Sequence, residues 1–306
     1  MKNKASVIMI LLAGAFWGSS CVFVSKLTSL GFTSLECTAI RIVIGTLILN
    51  AACIIKGKGV SLYPRDARSW LIAASSGIFS VLSMCIFYYN AMQKTSAAIS
   101  AILLYTAPVF VMIMSLIFFG ERLSAKKICA FCLAIVGCAL VSGIAAGAQL
   151  STVGILCGVA SGFCYSLYGI FTAFYMKRQS DSLAFSAINF LFAAIGALCL
   201  ASPVSIVQKT ASLGNPIALV LLFLAFSLAT SVMPYALYTK GLANIRPATA
   251  SILAFSEPIT AAVLGITVLG QPMDIFGAIG MALVVSAIVL LNLPSKTVGE
   301  FKVNLG

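Results

Sequence analysis

Long apolar stretches, each followed by a short polar connection, run along the whole chain. An α-helix needs about 20 mostly apolar residues to cross the hydrocarbon core of a bilayer, and most of these stretches reach that length. The clearest polar connections, at 56–69 and 203–216, are too short to hold a soluble domain. The pattern predicts ten transmembrane helices, at 5–25, 33–55, 69–92, 97–119, 126–145, 151–175, 183–202, 215–239, 248–269 and 275–293.

The composition supports an all-α integral membrane protein. Of the 306 residues, 61% are hydrophobic and only 8% are charged, whereas soluble domains carry about 25% charged residues. The mean hydropathy of +1.11 agrees. Cys129 and Cys132 have the spacing of metal ligands, but they lie in an apolar helix of a chain without histidine. We therefore expect the ten cysteines to pack as small hydrophobic residues, and we expect no metal and no cofactor.

The basic residues predict the orientation in the membrane. If the N-terminus is cytoplasmic, only Lys26, Lys94 and Lys209 lie outside, and Arg41 lies within a helix. The other fifteen of the nineteen lysines and arginines then face the cytoplasm, as the positive-inside rule requires. We expect both termini in the cytoplasm and the protein in a bacterial-type plasma (inner) membrane. The net charge of +12 is spread singly over many loops, so nucleic-acid binding is not expected.

The second half of the chain repeats the first. Residues 98–108 align with 248–258 at an offset of 150, and residues 35–41 align with 183–189 at an offset of 148. A repeat of five helices has an odd number of crossings, so the second copy must enter the membrane from the opposite side. The sequence thus predicts two inverted five-helix repeats, 1–147 and 148–306, which form one transmembrane unit with a site near the midplane between them.

Four short motifs, in this order along the chain, carry a family resemblance. They are Ala15-Phe16-Trp17-Gly18-Ser19-Ser20, Arg41-Ile42-Val43-Ile44-Gly45, Pro108 through Gly120-Glu121-Arg122-Leu123, and Glu257-Pro258 through Gly270-Gln271-Pro272. Together they resemble the drug/metabolite transporter superfamily, EamA type, over essentially the whole chain. The resemblance implies a ten-helix fold of two inverted repeats, and export or exchange of amino acids or other small metabolites. The second copy departs from the first by having Gln271 in place of Glu121, which would leave its loop cap uncharged.

Two charged residues lie inside predicted helices, where charges are rare and costly. Arg41 and Glu257 are expected at similar depths, so they could form a pair. The functional interpretation places both at a substrate site and gives Glu257 a role in proton coupling. The structural alternative is an ion pair that only fixes helix packing, or an arginine that extends toward the outer face. Glu36, near the outer end of its helix, is expected to contact headgroups or water.

Aromatic residues are the second class of candidates. A small-molecule site is usually a cavity with aromatic walls and a few polar groups. Aromatic side chains at mid-helix or symmetry-related positions are therefore predicted to line a central substrate-binding space: Trp17, Tyr105, Tyr165 and Tyr235. Others near helix ends fit an interfacial belt better: Tyr88, Tyr89 and Tyr238. Asn90 and Asn189 fit a polar site or interhelical hydrogen bonds equally well.

Prolines and glycines predict irregular or close helix contacts. Pro108, Pro234 and Pro258 lie within predicted helices, where each would act as a hinge or as a static kink. The motifs Gly14-x-x-x-Gly18 and Gly158-x-x-x-Gly162 predict close helix packing within the bundle.

The sequence favours a secondary carrier for a small organic metabolite that works by alternating access. It contains no Walker motif and no nucleophile elbow, and the lack of histidine excludes imidazole proton relays. A passive facilitator or channel is the alternative, and it would show conductance or non-saturable flux. A membrane enzyme would need a catalytic set that the sequence lacks, and a lipid flippase would need a lateral opening between helices.

Overall fold

The computed structural model describes residues 2–57, 62–95, 97–121, 124–141, 151–178, 181–270 and 275–293, and every structural statement below concerns these residues. Helices account for the regular structure in them. The α-helices are α1 Lys2–Gly18, α2 Ser20–Ser29, α3 Ser34–Lys56, α4 Ala67–Ser75, α5 Ser83–Lys94, α6 Ala97–Leu104, α7 Ala107–Phe119, α8 Ala125–Val141, α9 Thr152–Met176, α10 Ser182–Leu200, α11 Pro203–Ser212, α12 Pro216–Ser227, α13 Met233–Leu242, α14 Pro247–Leu253, α15 Ser256–Thr267 and α16 Ile275–Asn292. Two π-helical segments, Ser76–Leu82 and Leu228–Val232, join α4 to α5 and α12 to α13.

Eight of the described helical segments are long and apolar enough to cross a membrane. They are Lys4–Ser29, Ser34–Lys56, Ala67–Lys94, Ile99–Phe119, Thr152–Met176, Ser182–Leu200, Pro216–Leu242 and Pro247–Thr267. Helices α8 and α16, at the predicted fifth and tenth crossings, are shorter and pack against each other. Ten crossings and an inverted arrangement of the repeats therefore stay predictions. The predicted repeat boundary at 147/148 lies outside the described residues, as do Arg122, Leu123, Gln271 and Pro272.

Large apolar side chains cover the outside of the bundle. Leu47, Ile55 and Ile117 are each more than 60% exposed, although they lie in long apolar helices. A water-soluble surface does not carry such contiguous apolar patches, whereas lipid tails are a suitable environment for them. The chain is thus a multi-pass membrane protein.

The two halves of the chain break their helices at equivalent positions. The break between α6 and α7 falls at Tyr105–Thr106, and the break between α14 and α15 falls at Ala254–Phe255. The two π-helical segments also overlap at the 150-residue offset. Gly120 and Gly270, which are equivalent as well, both take positive φ values of 60° and 65°. A matching pattern of irregular backbone indicates that the halves share one local architecture.

Each half packs a glycine-bearing helix against the broken helix of the other half. A Cβ atom on Gly14 would lie 2.9 Å from the Ala254 carbonyl oxygen, beside the break before α15. A Cβ atom on Gly162 would lie 2.8 Å from the Thr106 hydroxyl, beside the break before α7. Both glycines therefore permit a close backbone approach that any larger residue would prevent, and the predicted packing role of the two glycine motifs is confirmed.

The three prolines lie just after irregular points instead of in the middle of continuous helices. Pro108 and Pro258 are in the first turn of α7 and α15, after the two breaks. Pro234 is the second residue of α13, after a π-helical segment. Proline lacks a backbone N–H, which the first turn of a helix does not need, so these positions accommodate it without strain. Whether these points act as hinges stays a prediction.

One end of the bundle is held by a buried ion pair that the sequence did not reveal. The predicted loop at 203–216 contains a further helix, α11, whose Lys209 lies 2.7 Å from the Glu36 carboxylate. Glu36 also accepts a hydrogen bond from Ser205, and it completes a capping box with Thr33 at the start of α3. Only 5% of Glu36 is exposed, so the expectation that it contacts headgroups or water is wrong. We call this side of the bundle the Glu36 end.

The opposite side, which we call the Asp181 end, has two ion pairs between the halves. Lys56 lies 3.6 Å from Asp181, and Arg178 lies 3.4 Å from Asp66. Asp66 and Asp181 also cap the N-termini of α4 and α10. Each pair joins one half of the chain to the other at the ends of their helices.

Candidate functional site

A cavity of about 540 Å³ lies among the helices of both halves. Its walls come from α1, α2, α3, α5, α6, α9, α13 and α15, with the α6–α7 break and the second π-helical segment. Ser25 and Thr28 near the end of α2 and Ser34 at the start of α3 also line it. Because these residues are at the ends of their helices, the cavity extends from the middle of the bundle to the Glu36 end.

All six residues that the sequence predicts at a substrate site lie on this one cavity: Trp17, Arg41, Tyr105, Tyr165, Tyr235 and Glu257. The helix irregularities explain two of these positions. Tyr105 is in the break between α6 and α7, and Glu257 is the second residue of α15, just after the equivalent break. Glu257 has Ala107 as its equivalent in the first half, and Ala107 is buried. The acidic group is therefore present in only one of two equivalent positions. Substrate binding by these residues stays a prediction.

Aromatic side chains form the floor of the cavity. The ring of Trp17 lies 5.3 Å from that of Tyr235 and 6.1 Å from that of Tyr165, in edge-to-face contacts. Below them Tyr168 packs 5.0 Å from Tyr235, and its hydroxyl lies 2.7 Å from that of Thr239. These side chains, of which Tyr168 and Tyr235 are almost fully buried, separate the cavity from the Asp181 end.

Hydrogen bonds between α3 and α10 strengthen this closure. Thr46 donates to the carbonyl oxygen of Phe190 at 2.8 Å, and Asn50 donates to that of Ala187 at 3.2 Å. Tyr63, from the connection after α3, donates to the Asn50 side chain at 2.7 Å. The helices are thus joined toward the Asp181 end and leave the cavity between elements toward the Glu36 end.

Arg41 and Glu257 do not form the ion pair that the sequence allowed. No Lys or Arg nitrogen lies within 4.0 Å of the Glu257 carboxylate among the described residues. The Arg41 guanidinium donates to the Cys85 sulfur at 3.5 Å and lies beside Tyr235. Both charged groups are half-buried and face the same space. Opposite charges on one aromatic cavity suit a small solute that carries charged groups of its own.

The tyrosines assigned to an interfacial belt lie elsewhere. Tyr88 and Tyr89 line the cavity near its open side, and Tyr238 is 6% exposed and packs 5.3 Å from the ring of Trp17. Position near a helix end predicts an interfacial role only when the interior is closed there. Here the cavity reaches the helix ends, so end positions also face the interior.

Two further residues differ from what their positions in the sequence suggest. Cys85 lines the cavity and contacts Arg41, whereas all the cysteines were expected to be packing residues. Asn189 is fully buried away from the cavity, and it donates to the Ser76 hydroxyl at 2.6 Å. The helical positions alone give no signal for either contact, because both depend on how separate helices meet.

A membrane-spanning bundle around a single polar and aromatic cavity that reaches one end is typical of a transport protein. Comparisons with known proteins support this class. The model of the EamA-like transporter family matches the chain twice, over residues 4–143 and 152–293. The chain belongs to the EamA-like transporter family, and its two matched segments are the two repeats of that family.

Relatives and a solved structure agree over nearly the full length. An uncharacterized transporter from Archaeoglobus fulgidus is 26% identical over 281 residues, which cover 92% of this chain and 94% of the relative. The uncharacterized transporter YwfM from Bacillus subtilis is 23% identical, over 95% of each chain. One solved crystal structure matches with a TM-score of 0.76 at 19% identity, over 94% of this chain and 97% of that one. At this identity the structural match supports the fold alone.

Proposed function

We propose that this protein is a secondary carrier that exports or exchanges a small organic metabolite, such as an amino acid, by alternating access. The observation that carries the proposal is the cavity between the halves, which reaches the Glu36 end and has an aromatic floor toward the Asp181 end. A carrier exposes its site to one side at a time, and a cavity open at one end and closed at the other fits one such state.

The orientation follows from the basic residues. With both termini in the cytoplasm of a bacterial-type cell, the Glu36 end faces outside and the Asp181 end faces the cytoplasm. The described conformation is then outward-facing. Its inward-facing counterpart arises when the two halves exchange their local conformations, which their matching breaks and π-helical segments make structurally reasonable.

In this proposal Trp17, Tyr105, Tyr165 and Tyr235 provide the apolar walls, and Arg41 and Glu257 provide the charged groups that contact the cargo. Glu257 also couples transport to protons. Its burial disfavours the carboxylate and the charge of Arg41 favours it, so its protonation depends on the conformation around it. The small-molecule cargo and the lipid bilayer are the partners that this role needs.

Counterflow tests the proposal. Purified protein in liposomes loaded with an unlabelled amino acid should accumulate the labelled amino acid from outside, with a rate that saturates. A passive facilitator or channel is the alternative, and it would show conductance or a rate that rises linearly with concentration. Linear flux with no stimulation by internal solute would reject the carrier.

A further inference from the structure

The charged groups in the cavity lack the partners that other charges of this protein have. Glu36 and Glu121 are both almost fully buried, and each pairs with a lysine. Arg41 has a thiol and a phenol beside it but no carboxylate within 4.0 Å, and Glu257 has no cationic group within that distance among the described residues. In the open cavity water can solvate both groups.

The equivalent of Arg41 in the second half reveals how this position looks when it is closed. That equivalent is Asn189, which is fully buried. It bonds to Ser76, and a Cβ atom on Gly77 would lie 2.3 Å from the Asn189 carbonyl oxygen. The seventh predicted span thus packs directly on the π-helical segment of the third, and no cavity remains between them.

The same contact is open in the first half. Phe226, the equivalent of Ser76, lies on the cavity together with Arg41. If the halves exchange conformations, Arg41 comes to the closed position that Asn189 occupies here. It would then face an apolar ring where Asn189 has a hydroxyl, and water would be expelled from around the guanidinium. An unpaired charge is very unfavourable in such a place.

We infer that the cargo itself supplies the missing counter-charges, with an anionic group on Arg41 and a cationic group on Glu257, so that the carrier exchanges one zwitterion for another and does not return empty. This inference rests on the proposed carrier function. Helices α3 and α15, which carry the two charges, face each other across the cavity. A molecule that bridges them neutralises both charges at once when the cavity closes. Without it, closure leaves both charges dehydrated.

The test uses the full-length protein in liposomes and a matched set of probes. The set comprises each tested amino acid, the amine without its carboxylate, and the carboxylate without its amine. Uptake of each labelled probe is measured into empty liposomes and into liposomes loaded with the same probe. Arg41→Gln and Glu257→Gln are the test variants. Arg178→Gln is the matched control, because Arg178 pairs with Asp66 at the surface and not in the cavity.

We expect zwitterion uptake to be about tenfold or more faster into loaded than into empty liposomes, because the empty return carries the larger barrier. The amine and the carboxylate should be carried poorly by the wild type and by Arg178→Gln. Arg41→Gln should accept the amine and return empty more readily, and Glu257→Gln should accept the carboxylate.

Three results would overturn the inference. The wild type might carry the amine or the carboxylate as well as the zwitterion, might fill empty and loaded liposomes at equal saturable rates, or might move no zwitterion of the set. The second result leaves a carrier without obligatory exchange. Linear, non-saturable flux of every probe would instead reject the carrier function itself, so the two failures are distinguishable.

Discussion

Replacing Gly18 by alanine tests whether the first helix must approach α15 as closely as the structure indicates. A Cβ atom on Gly18 would lie 2.4 Å from the Glu257 carbonyl oxygen, 2.8 Å from the Thr260 Cβ atom and 3.0 Å from the Ala261 nitrogen. Two of these three atoms belong to the backbone, so no side-chain rotation relieves the overlap. The helices must move apart. Such overpacking costs about 1–3 kcal/mol, so Gly18→Ala should lower the free energy of unfolding by that amount.

Gly169 offers a matched control on α9. The nearest atom to a Cβ placed there is the Tyr238 hydroxyl oxygen at 3.6 Å, an ordinary contact. Gly169→Ala should therefore be neutral or should stabilise by up to about 1 kcal/mol, because alanine is the better helix former. Unfolding of both variants in mixed detergent micelles, followed by tryptophan fluorescence, measures the difference. If Gly18→Ala unfolds like the wild type, the close approach of α1 to α15 is wrong.

Four further predictions concern the site and the topology. Glu257→Gln should abolish the pH dependence of transport, and a well-folded variant with unchanged rate and pH dependence would exclude proton coupling. If that variant folds poorly and Arg41→Gln restores folding, the two residues form a structural pair instead. Trp17→Ala should remove the aromatic floor and weaken cargo binding by about tenfold or more, measured as the half-saturation concentration in counterflow; an unchanged value would place the cargo elsewhere. A reporter active only outside the cytoplasm should be silent at Lys296 and active near Lys209, and activity at Lys296 would contradict ten crossings with both termini inside.

The positions of the site residues could be predicted because membrane interiors penalise charge. Arg41 and Glu257 stand out in apolar helices, and so do Trp17 and Tyr105 by their mid-helix depth. The structure brings all four onto one cavity. Depth along a helix is a one-dimensional property, and it fixes neither the facing direction nor the distance between two side chains. The sequence therefore could not decide that Arg41 and Glu257 stay apart.

The contacts that the sequence missed all depend on how elements meet. Glu36 appeared solvent-facing because its partner Lys209 is far away in sequence, on a helix inside a predicted loop. Tyr88 appeared interfacial because a helix end normally meets the membrane surface. The eight apolar helical segments, by contrast, follow from length and hydropathy alone. These two properties are local, and the bilayer imposes them on each helix separately.

The π-helical segments make the length of two helices matter as much as their composition. A π-helical turn holds one residue more than an α-helical turn. Deleting a single residue within Ser76–Leu82 would restore regular α-helical geometry and rotate all of α5 by about 100°. That rotation would turn Cys85 and Tyr88 away from the cavity without changing either residue. Sequence drift in this transporter can therefore alter loop lengths freely, but a one-residue deletion in this segment would redraw the wall of the cavity.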